Sequence, residues 1–434
     1  MTERNNSADN FPSRRLSVLI SAFSCSPYQG SESGIGWNVA MRLGRYHDVT
    51  VLVGDVSSKL RTKSHLEKFF TSNPQLDGVR FCYVPPDASI SLLELVHRLP
   101  GLWPIYYLAY RRWQKKAFHC AAEMHQMNPF DVAHEFTIQS ARTPGFLWKL
   151  GIPFVWGPVS GAPVIPPSFY GMFGLSGAFR PVTRDLLNRL QARLSRHIPR
   201  VARSAAKVFV ATPEDQRQAE RVWKIKPELL PAAGSSESTH ARIRRRAMSE
   251  PLRIVWSGLM VPRKALPLLL RALAEIGCAE MKWSLDILGD GPMRSQWQND
   301  AVSLKISCSQ IVWHGRLPIA EAHEKMARYD VLVHTALTEG TPNVVLEALS
   351  FGLPVVCHDA CGMGVVVDES CGIKIPLQSP TCSIAGFRNA LERIISDAGL
   401  LATLSEGSLR RSRILSWDYI ACRIADSYTD LCKT

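Results

Sequence analysis

Runs of apolar residues separated by polar turns recur along the whole chain, and they fall into two similar series. Ser17-Val18-Leu19-Ile20-Ser21-Ala22-Phe23 reads as a buried strand. A glycine-rich turn follows, then a helical stretch from Trp37 to Leu43 and a second strand at Val49 to Val53. That βαβ opening predicts a parallel, doubly wound sheet. Further strands are expected at Val79 to Val84, Asp131 to His134, Phe154 to Trp156 and Lys207 to Ala211. The stretch Thr212 to Pro251 changes character: it is polar and carries Pro227, Pro231, Gly234 and Ser235-Ser236-Glu237-Ser238. The pattern then restarts, with strands at Arg253 to Ser257, Trp283 to Leu288, Ile311 to His314, Val331 to His334 and Pro354 to Cys357. Periodic helices are expected at Leu266 to Ile276 and Ala320 to Tyr329, and an amphipathic one at Trp417 to Leu431.

The series predict an α/β protein of two Rossmann-like doubly wound domains facing a cleft, where ligands sit at the C-terminal strand ends. We place an N-terminal domain at 15–232, a linker at 233–251, a second domain at 252–411 and a C-terminal helical segment at 412–434. With 434 residues and 46% hydrophobic content, two or three ordinary cores are expected. No apolar run approaches the roughly 18 to 20 residues that span a bilayer. Met1 to Arg15 lacks the apolar stretch of a signal peptide, so a cytoplasmic location is expected. The 11 cysteines match no zinc spacing and read as reduced thiols.

Net charge is +13 and is concentrated. Arg180, Arg184, Arg189, Arg193, Arg196, Arg200, Arg203 and Lys207 face one acid, Asp185, and Arg242, Arg244, Arg245 and Arg246 form a second cluster. Such clusters attract polyanions, and peripheral contact with an anionic membrane through Arg180 to Lys207 is expected. No nucleic-acid motif accompanies the charge. The stretch Leu102 to Lys116 mixes aromatics with bases, which fits either an interfacial membrane contact or a buried aromatic helix.

The densest chemistry lies in Glu339-Gly340-Thr341-Pro342-Asn343-Val344-Val345-Leu346-Glu347. Thr341 before Pro342 suits a helix cap with proline at the first position, and Gly352 and Pro354 suit its end. The start of such a helix presents free N–H groups and a positive dipole end to phosphate. Glu339 falls on the loop and Glu347 in the second turn, so the two carboxylates can serve different parts of one ligand. By periodicity alone the stretch equally fits a capped surface helix with two solvated acids.

This stretch resembles the E-x7-E signature of the retaining GT4-type glycosyltransferases of the GT-B fold (glycosyl transferases group 1). Gly362-Met363-Gly364, Val365 to Asp368 and Gly372 to Pro376 are similar to the segments that follow it there. The resemblance implies that Glu339 contacts the transferred sugar, Glu347 the nucleotide ribose, and Gly340, Thr341, Asn343 and Val344 the diphosphate. Ser257 to Lys264 resembles the family's G-R-x-x-P-x-K turn: Lys264 matches its lysine, whereas Leu259 stands where an arginine is usual and Arg263 is the neighbouring cation. Cations there stabilise a departing diphosphate without a metal, so no cofactor or metal site is expected. Ile287 to Pro292 resembles the family's GDGP turn after a strand, and His314 to Leu317 resembles the loop lining the nucleobase, which makes Arg316 a donor-site candidate. Gly30 to Trp37, with Gly34 and Gly36, is similar to a cleft loop of some members, as is Trp156 to Gly161. His134 ends a strand, a common structural position, and the resemblance implies a contact with the donor sugar.

The function these features imply is retaining transfer of a sugar from a nucleotide-diphosphate donor to an acceptor hydroxyl. The acceptor expected is a saccharide or a lipid-linked one, in surface polysaccharide or glycolipid assembly. The rivals are a catalytically silent subunit of the same fold acting as a binding partner, which the Leu259 departure keeps open, and a nucleotide-sugar epimerase.

Overall fold

The computed structural model describes residues 14–433, apart from 56–60, 74–76, 100–101, 103–104, 174–182, 184, 186–190, 192–193 and 278–282. The first sheet holds β1 (Ser17–Ala22), β2 (Asp48–Val53), β3 (Val79–Tyr83), β4 (Val132–Thr137), β5 (Phe154–Val159), β6 (Lys207–Val210) and β7 (Glu228–Leu229) in the order β3-β2-β1-β4-β5-β6-β7. The second holds β8 (Leu252–Ser257), β9 (Trp283–Leu288), β10 (Ile311–Gly315), β11 (Val331–His334), β12 (Val355–His358) and β13 (Gly372–Ile375) in the order β10-β9-β8-β11-β12-β13. Every pairing is parallel, with Ile20 opposite His134 and Leu332 opposite Val255. Helices cover both faces of such sheets, which is why Val18-Leu19-Ile20 and Val331-Leu332-Val333 are buried without polar alternation. The order reverses beside β1 and again beside β8, and those switch points open the crevices where ligands bind.

The first four helices are α1 (Ser31–Leu43), α2 (Thr62–Ser72), α3 (Ala88–His97) and α4 (Ile105–Met127). Helix α1 begins six residues earlier than the sequence pattern suggests. Gly34 and Gly36 lie inside it, because a Cβ on Gly34 would stand 2.5 Å from the Gln29 carbonyl oxygen and one on Gly36 2.7 Å from that of Ser24. Close approach to the β1–α1 loop, not a flexible turn, is the reason for both glycines. In α4 the aromatics Tyr110 and Trp113 point into the core, so the buried alternative holds for these two rings.

The chain passes between the sheets twice, and the two passages are hydrogen-bonded together. Ser235 N–H donates to the Leu415 carbonyl (2.8 Å) and Trp417 N–H to the Ser235 carbonyl (3.1 Å). The last helix, Trp417–Cys432, then lies on α1. Asp418 pairs with Arg42 (3.2 Å) and Arg45 (2.8 Å), and Arg423 pairs with Glu228.

Two of the four arginines of the second basic cluster do not face solvent, while Arg242 and Arg245 are exposed. Arg244 and Arg246 are buried, and their guanidiniums donate to backbone carbonyls of Ala327, Phe351, Glu250 and Ile395. Arg242 also reaches the Ala327 carbonyl (3.1 Å). These arginines satisfy carbonyls near helix ends, where cations are favourable. Of the first cluster, Arg180, Arg184, Arg189 and Arg193 lie outside the described residues.

Candidate active site

The site starts where β8 and β11, neighbours in the second sheet, release their loops. Beyond β8 a turn leads into Pro262-Arg263-Lys264. Beyond β11 runs the loop 335–342. The two loops are stitched by backbone and side chains. Thr335 Oγ1 donates to the Lys264 carbonyl (2.6 Å) and accepts from Trp256 Nε1 (3.0 Å), and Leu337 N–H donates to the Arg263 carbonyl (2.9 Å). This fixes the heads of Arg263 and Lys264 against the second loop.

Both cations converge on Glu339. Lys264 Nζ lies 2.5 Å from Glu339 Oε1, and Arg263 donates to the same oxygen and to the Thr338 carbonyl (3.2 Å). Burial by itself would raise the Glu339 carboxyl, but Lys264 and Arg263 outweigh it and hold it down at about 2. Burial lowers the Lys264 ammonium, and Glu339 opposes that shift. His334, at the end of β11, is buried beside them. Desolvation, aided by Lys264, pushes it to about 3, so it is neutral. The sequence pattern singled out no role for His334, since a strand-end histidine looks the same whether or not cations stand next to it.

The helix Asn343–Ser350 follows. Pro342, not Thr341, occupies its cap position, and the Thr341 hydroxyl instead accepts from Ala232 N–H (2.9 Å). Thr341 therefore ties the loop 335–342 to the chain leaving the first domain. Gly340 is pressed against the turn at Gly362: a Cβ on Gly362 would fall 1.6 Å from the Gly340 carbonyl oxygen, and Gly362 N–H donates to the Glu339 carbonyl (3.0 Å). Val344 packs its side chain on the core, so its N–H is what it offers a ligand. Asn343 Oδ1 is buried with no hydrogen-bond partner among the described residues. Glu347 pairs with His323 (3.5 Å), whose pKa is raised by that hydrogen bond.

Asn343, Glu347 and His323 share a cavity of about 480 Å³ with Gly30, Gly34 and Asn38 of the first domain and with residues 234–240. The cleft thus joins the helix start to the β1–α1 corner. Gly36 faces Ser24 and is not among its lining residues. Gly340 and Thr338 line a smaller hollow of about 170 Å³ with Ser160. Turns after β8, β9 and β10 stack on one another, with Gly289 N–H donating to the Gly315 carbonyl (2.8 Å) and Met260 N–H to the Asp290 carbonyl (2.9 Å). Arg316 is exposed just beyond them. Leu259 stands in the first of these turns with 59% of its surface exposed.

His134 is set apart from this group, which corrects its placement among the sugar-contacting residues. It is fully buried, with Nδ1 2.5 Å from the Tyr428 hydroxyl and Nε2 2.6 Å from the Gly157 carbonyl oxygen. Burial lowers it to about 4, and both nitrogens are committed to joining β4, β5 and the last helix. Glu32 was overlooked: it sits at the start of α1, accepts from Gln139 N–H (3.2 Å) and is raised by burial. Its position within the Gly30–Trp37 segment was its only signal.

With this geometry in view, comparison with known proteins is informative. A model of the family described as glycosyl transferases group 1 matches residues 251–397, the stretch that holds Arg263, Lys264, Glu339 and Glu347. That stretch is similar to the glycosyl transferases group 1. The D-inositol 3-phosphate glycosyltransferase of Salinispora arenicola is 27% identical over 210 residues, 46% of this chain and 46% of that protein. The chain covers less than half the length of the first curated relatives it matches. Among solved structures, the lipopolysaccharide outer core galactosyltransferase WaaB covers 94% of this chain and 98% of its own, with a TM-score of 0.63 and 14% identity. Anabaena Alr3699/HepE in complex with UDP covers 96% and 100%, with a TM-score of 0.58 and 14% identity. These likenesses show a GT-B fold, two Rossmann-like domains about a cleft.

Proposed function

We propose that the protein transfers a sugar from a nucleotide-diphosphate donor to an acceptor hydroxyl with retention at the anomeric carbon. The observation that carries this reading is the convergence of Arg263 and Lys264 on Glu339 at the start of the helix Asn343–Ser350. In the free protein Glu339 is the anion that these cations hold. A donor diphosphate placed between them and the helix start takes over that charge, and Glu339 turns to the sugar hydroxyls.

As the bond between the anomeric carbon and the diphosphate oxygen breaks, negative charge grows on the leaving group beside Lys264 and Arg263. A fixed cation at such a place lowers the barrier by roughly 3–4 kcal/mol. The acceptor oxygen attacks from the face the diphosphate leaves, and its proton passes to a leaving phosphate oxygen. This chemistry invokes no metal and no protein nucleophile. Glu347 accepts from ribose hydroxyls, with His323 behind it.

The names of relatives support the substrate class. A UDP complex exists for one neighbour, and another acts on lipopolysaccharide outer core. We extend this to a saccharide or lipid-linked acceptor in glycolipid or surface-polysaccharide assembly at the cytoplasmic face of a membrane. Among the described residues, no helix is long and apolar enough to cross a membrane.

The test is incubation of the purified protein with UDP-, GDP- and ADP-sugars plus a lipid extract, following nucleotide release and the product's anomeric configuration by NMR. Release with a retained α or β configuration, lost in Glu339→Gln and Lys264→Ala, is the expected result. Release that survives both substitutions overturns the site. Tight nucleotide binding with no transfer to any acceptor favours a silent subunit.

A further inference from the structure

We infer that segment 160–173 of the first domain is a tie that holds the cleft closed on the side of Glu339, with Phe169 as its anchor in the second domain. The chain leaves β5 at Val159, and Ser160 is still stitched to the first domain. Its N–H donates to the Gln139 carbonyl (2.7 Å), and its carbonyl accepts from Ala141 N–H (3.1 Å). Gly161 and Ala162 N–H then both donate to one Asp215 oxygen (2.8 Å each), in the helix Pro213–Gln218. Further along, the ring of Phe169 is fully buried among side chains of the second domain. It packs edge-to-face with His358 (centroids 6.4 Å apart), which packs likewise with Phe387 of the helix Pro380–Ser396 (5.1 Å). Ile165 and Phe173 enter the same core, and Ser168 Oγ donates to the Gln378 carbonyl (2.8 Å).

The tie is stiff as well as fastened at both ends. Pro163, Pro166 and Pro167 lie between the anchors, and a proline ring fixes φ, so the span has little slack. Asp185 braces it, accepting from Ile165 N–H and the Tyr170 hydroxyl (3.2 Å each). A loop resting on a neighbour's surface keeps its large rings partly wet, whereas close packing around Phe169 and Ile165 means the second core is shaped to receive them. The anchor bears on the loop that carries Glu339. Burial lowers His358 to about 4, so it is neutral. Its Nδ1–H donates to the Ala336 carbonyl (3.0 Å) and its Nε2 accepts from the Ser383 hydroxyl (2.9 Å). Phe169 therefore backs the loop 335–342 through His358. At the other end of the tie Ser160 faces Gly340, where a Cβ would stand 3.5 Å from Ser160 Oγ. The passage of Ser235 beside Leu415 and Trp417 joins the domains along the larger cavity, and the tie joins them along the smaller hollow. Domains connected at one crossing swing about it, and a second stiff connection removes that freedom. Only the benefit to a bound sugar rests on the proposed transferase reading.

The experiment is pulse alkylation of the native, nucleotide-free protein with iodoacetamide, read cysteine by cysteine by mass spectrometry. Two thiols of the second domain are the reporters. Cys361 is buried at the start of the helix Cys361–Val366, which lies against the helix Pro213–Gln218 of the first domain, so opening of the cleft uncovers it. Cys371 is buried beside Asp368 inside the second domain and is uncovered when that domain unfolds. We expect both to react slowly in the parent. Phe169→Ala speeds alkylation of Cys361 roughly a hundredfold, the equilibrium factor that a lost buried ring carries, and leaves Cys371 at the parent's rate. Phe169→Leu, which refills the seat, restores most of the protection. Ser168→Ala, at an exposed position, speeds Cys361 about three- to tenfold. Should Phe169→Ala not fold, Ser168→Ala decides. The inference is overturned if Cys361 keeps the parent's rate in the variants that fold, if Cys361 and Cys371 accelerate in step in them, or if Cys361 of the parent already reacts as fast as the exposed Cys382. No nucleotide is present, so none of these outcomes touches the transferase reading, which stands or falls on donor turnover.

Discussion

Two glutamates, Glu135 buried and Glu339 half-buried, stand near the strand ends of the two sheets, and their environments drive them in opposite directions. Glu339 in the second domain has Lys264 and Arg263 on one oxygen and is held at about 2. Glu135 in the first domain accepts from Gly145 N–H (2.6 Å) and from Gln114 Nε2 (3.4 Å), with no cation in contact. Burial pushes it up to about 7. Burial by itself would raise both, so the partner decides. A carboxylate that draws two cations marks a place where an incoming anion finds charge waiting. One that relies on amides near neutrality is a piece of architecture.

The comparison is broken most strongly by removing the cations. Lys264→Ala should cut transferase turnover roughly 10²–10³-fold while the fold remains, as circular dichroism would show. Next comes His134, the neighbour of Glu135 in β4. Tyr428→Phe leaves its Nδ1 without a partner and should cost about 1–3 kcal/mol in unfolding free energy, with turnover per folded molecule close to the parent's. A large loss of turnover at unchanged stability would return His134 to the chemistry.

pH sharpens the contrast between the glutamates, since their linkage has opposite sign. Glu339 is depressed, so its contribution is present above the ordinary carboxylate value of 4.5 and fades as pH falls toward 2. Glu135 is raised, so the folded state holds its proton longer than the unfolded chain does. Its cost is absent below 4.5, grows through 7 and is full above it. Glu135→Gln should therefore melt above the parent at pH 8 and level with it at pH 4.5, a gap of a few kcal/mol at most. Equal melting at both values contradicts the assignment.

The smallest effect expected is at His323. Its pKa is raised by Glu347, so the charged pair is favoured at lower pH and lost as pH rises through the folded value. His323→Gln should weaken donor binding about three- to tenfold below that point and converge with the parent above it, as titration calorimetry across pH would show.

Much of this was legible in the chain. Unbroken runs such as Val18-Leu19-Ile20 and Val331-Leu332-Val333 announce parallel strands covered on both faces, and their restart at Leu252 announces a second sheet. The signature Glu339 to Glu347 and the matching Lys264 pointed to two loops that the fold brings together. What escaped depends on contacts distant in sequence. Gly34 and Gly36 look like a flexible turn, yet helix packing on Gln29 and Ser24 demands them. Thr341 looks like a cap, but the backbone of Ala232 claims its hydroxyl. Arg244 and Arg246 count as surface charge until carbonyls of Phe351 and Ile395 enclose them. His334 ends β11 and His134 lies inside β4, which runs on to Thr137; only tertiary structure puts one beside two cations and the other under the last helix.

The central claim is that Arg263, Lys264 and the start of the helix Asn343–Ser350 form a diphosphate site which Glu339 occupies until a donor arrives. Titration calorimetry of UDP, GDP and ADP against the parent, Lys264→Ala and Glu339→Gln tests it directly. The account predicts that one nucleoside diphosphate binds the parent, binds Lys264→Ala at least about tenfold more weakly, and binds Glu339→Gln no worse than the parent, since its competing charge is gone. Equal affinity in the parent and Lys264→Ala, or no binding of any of the three to the parent, would contradict it.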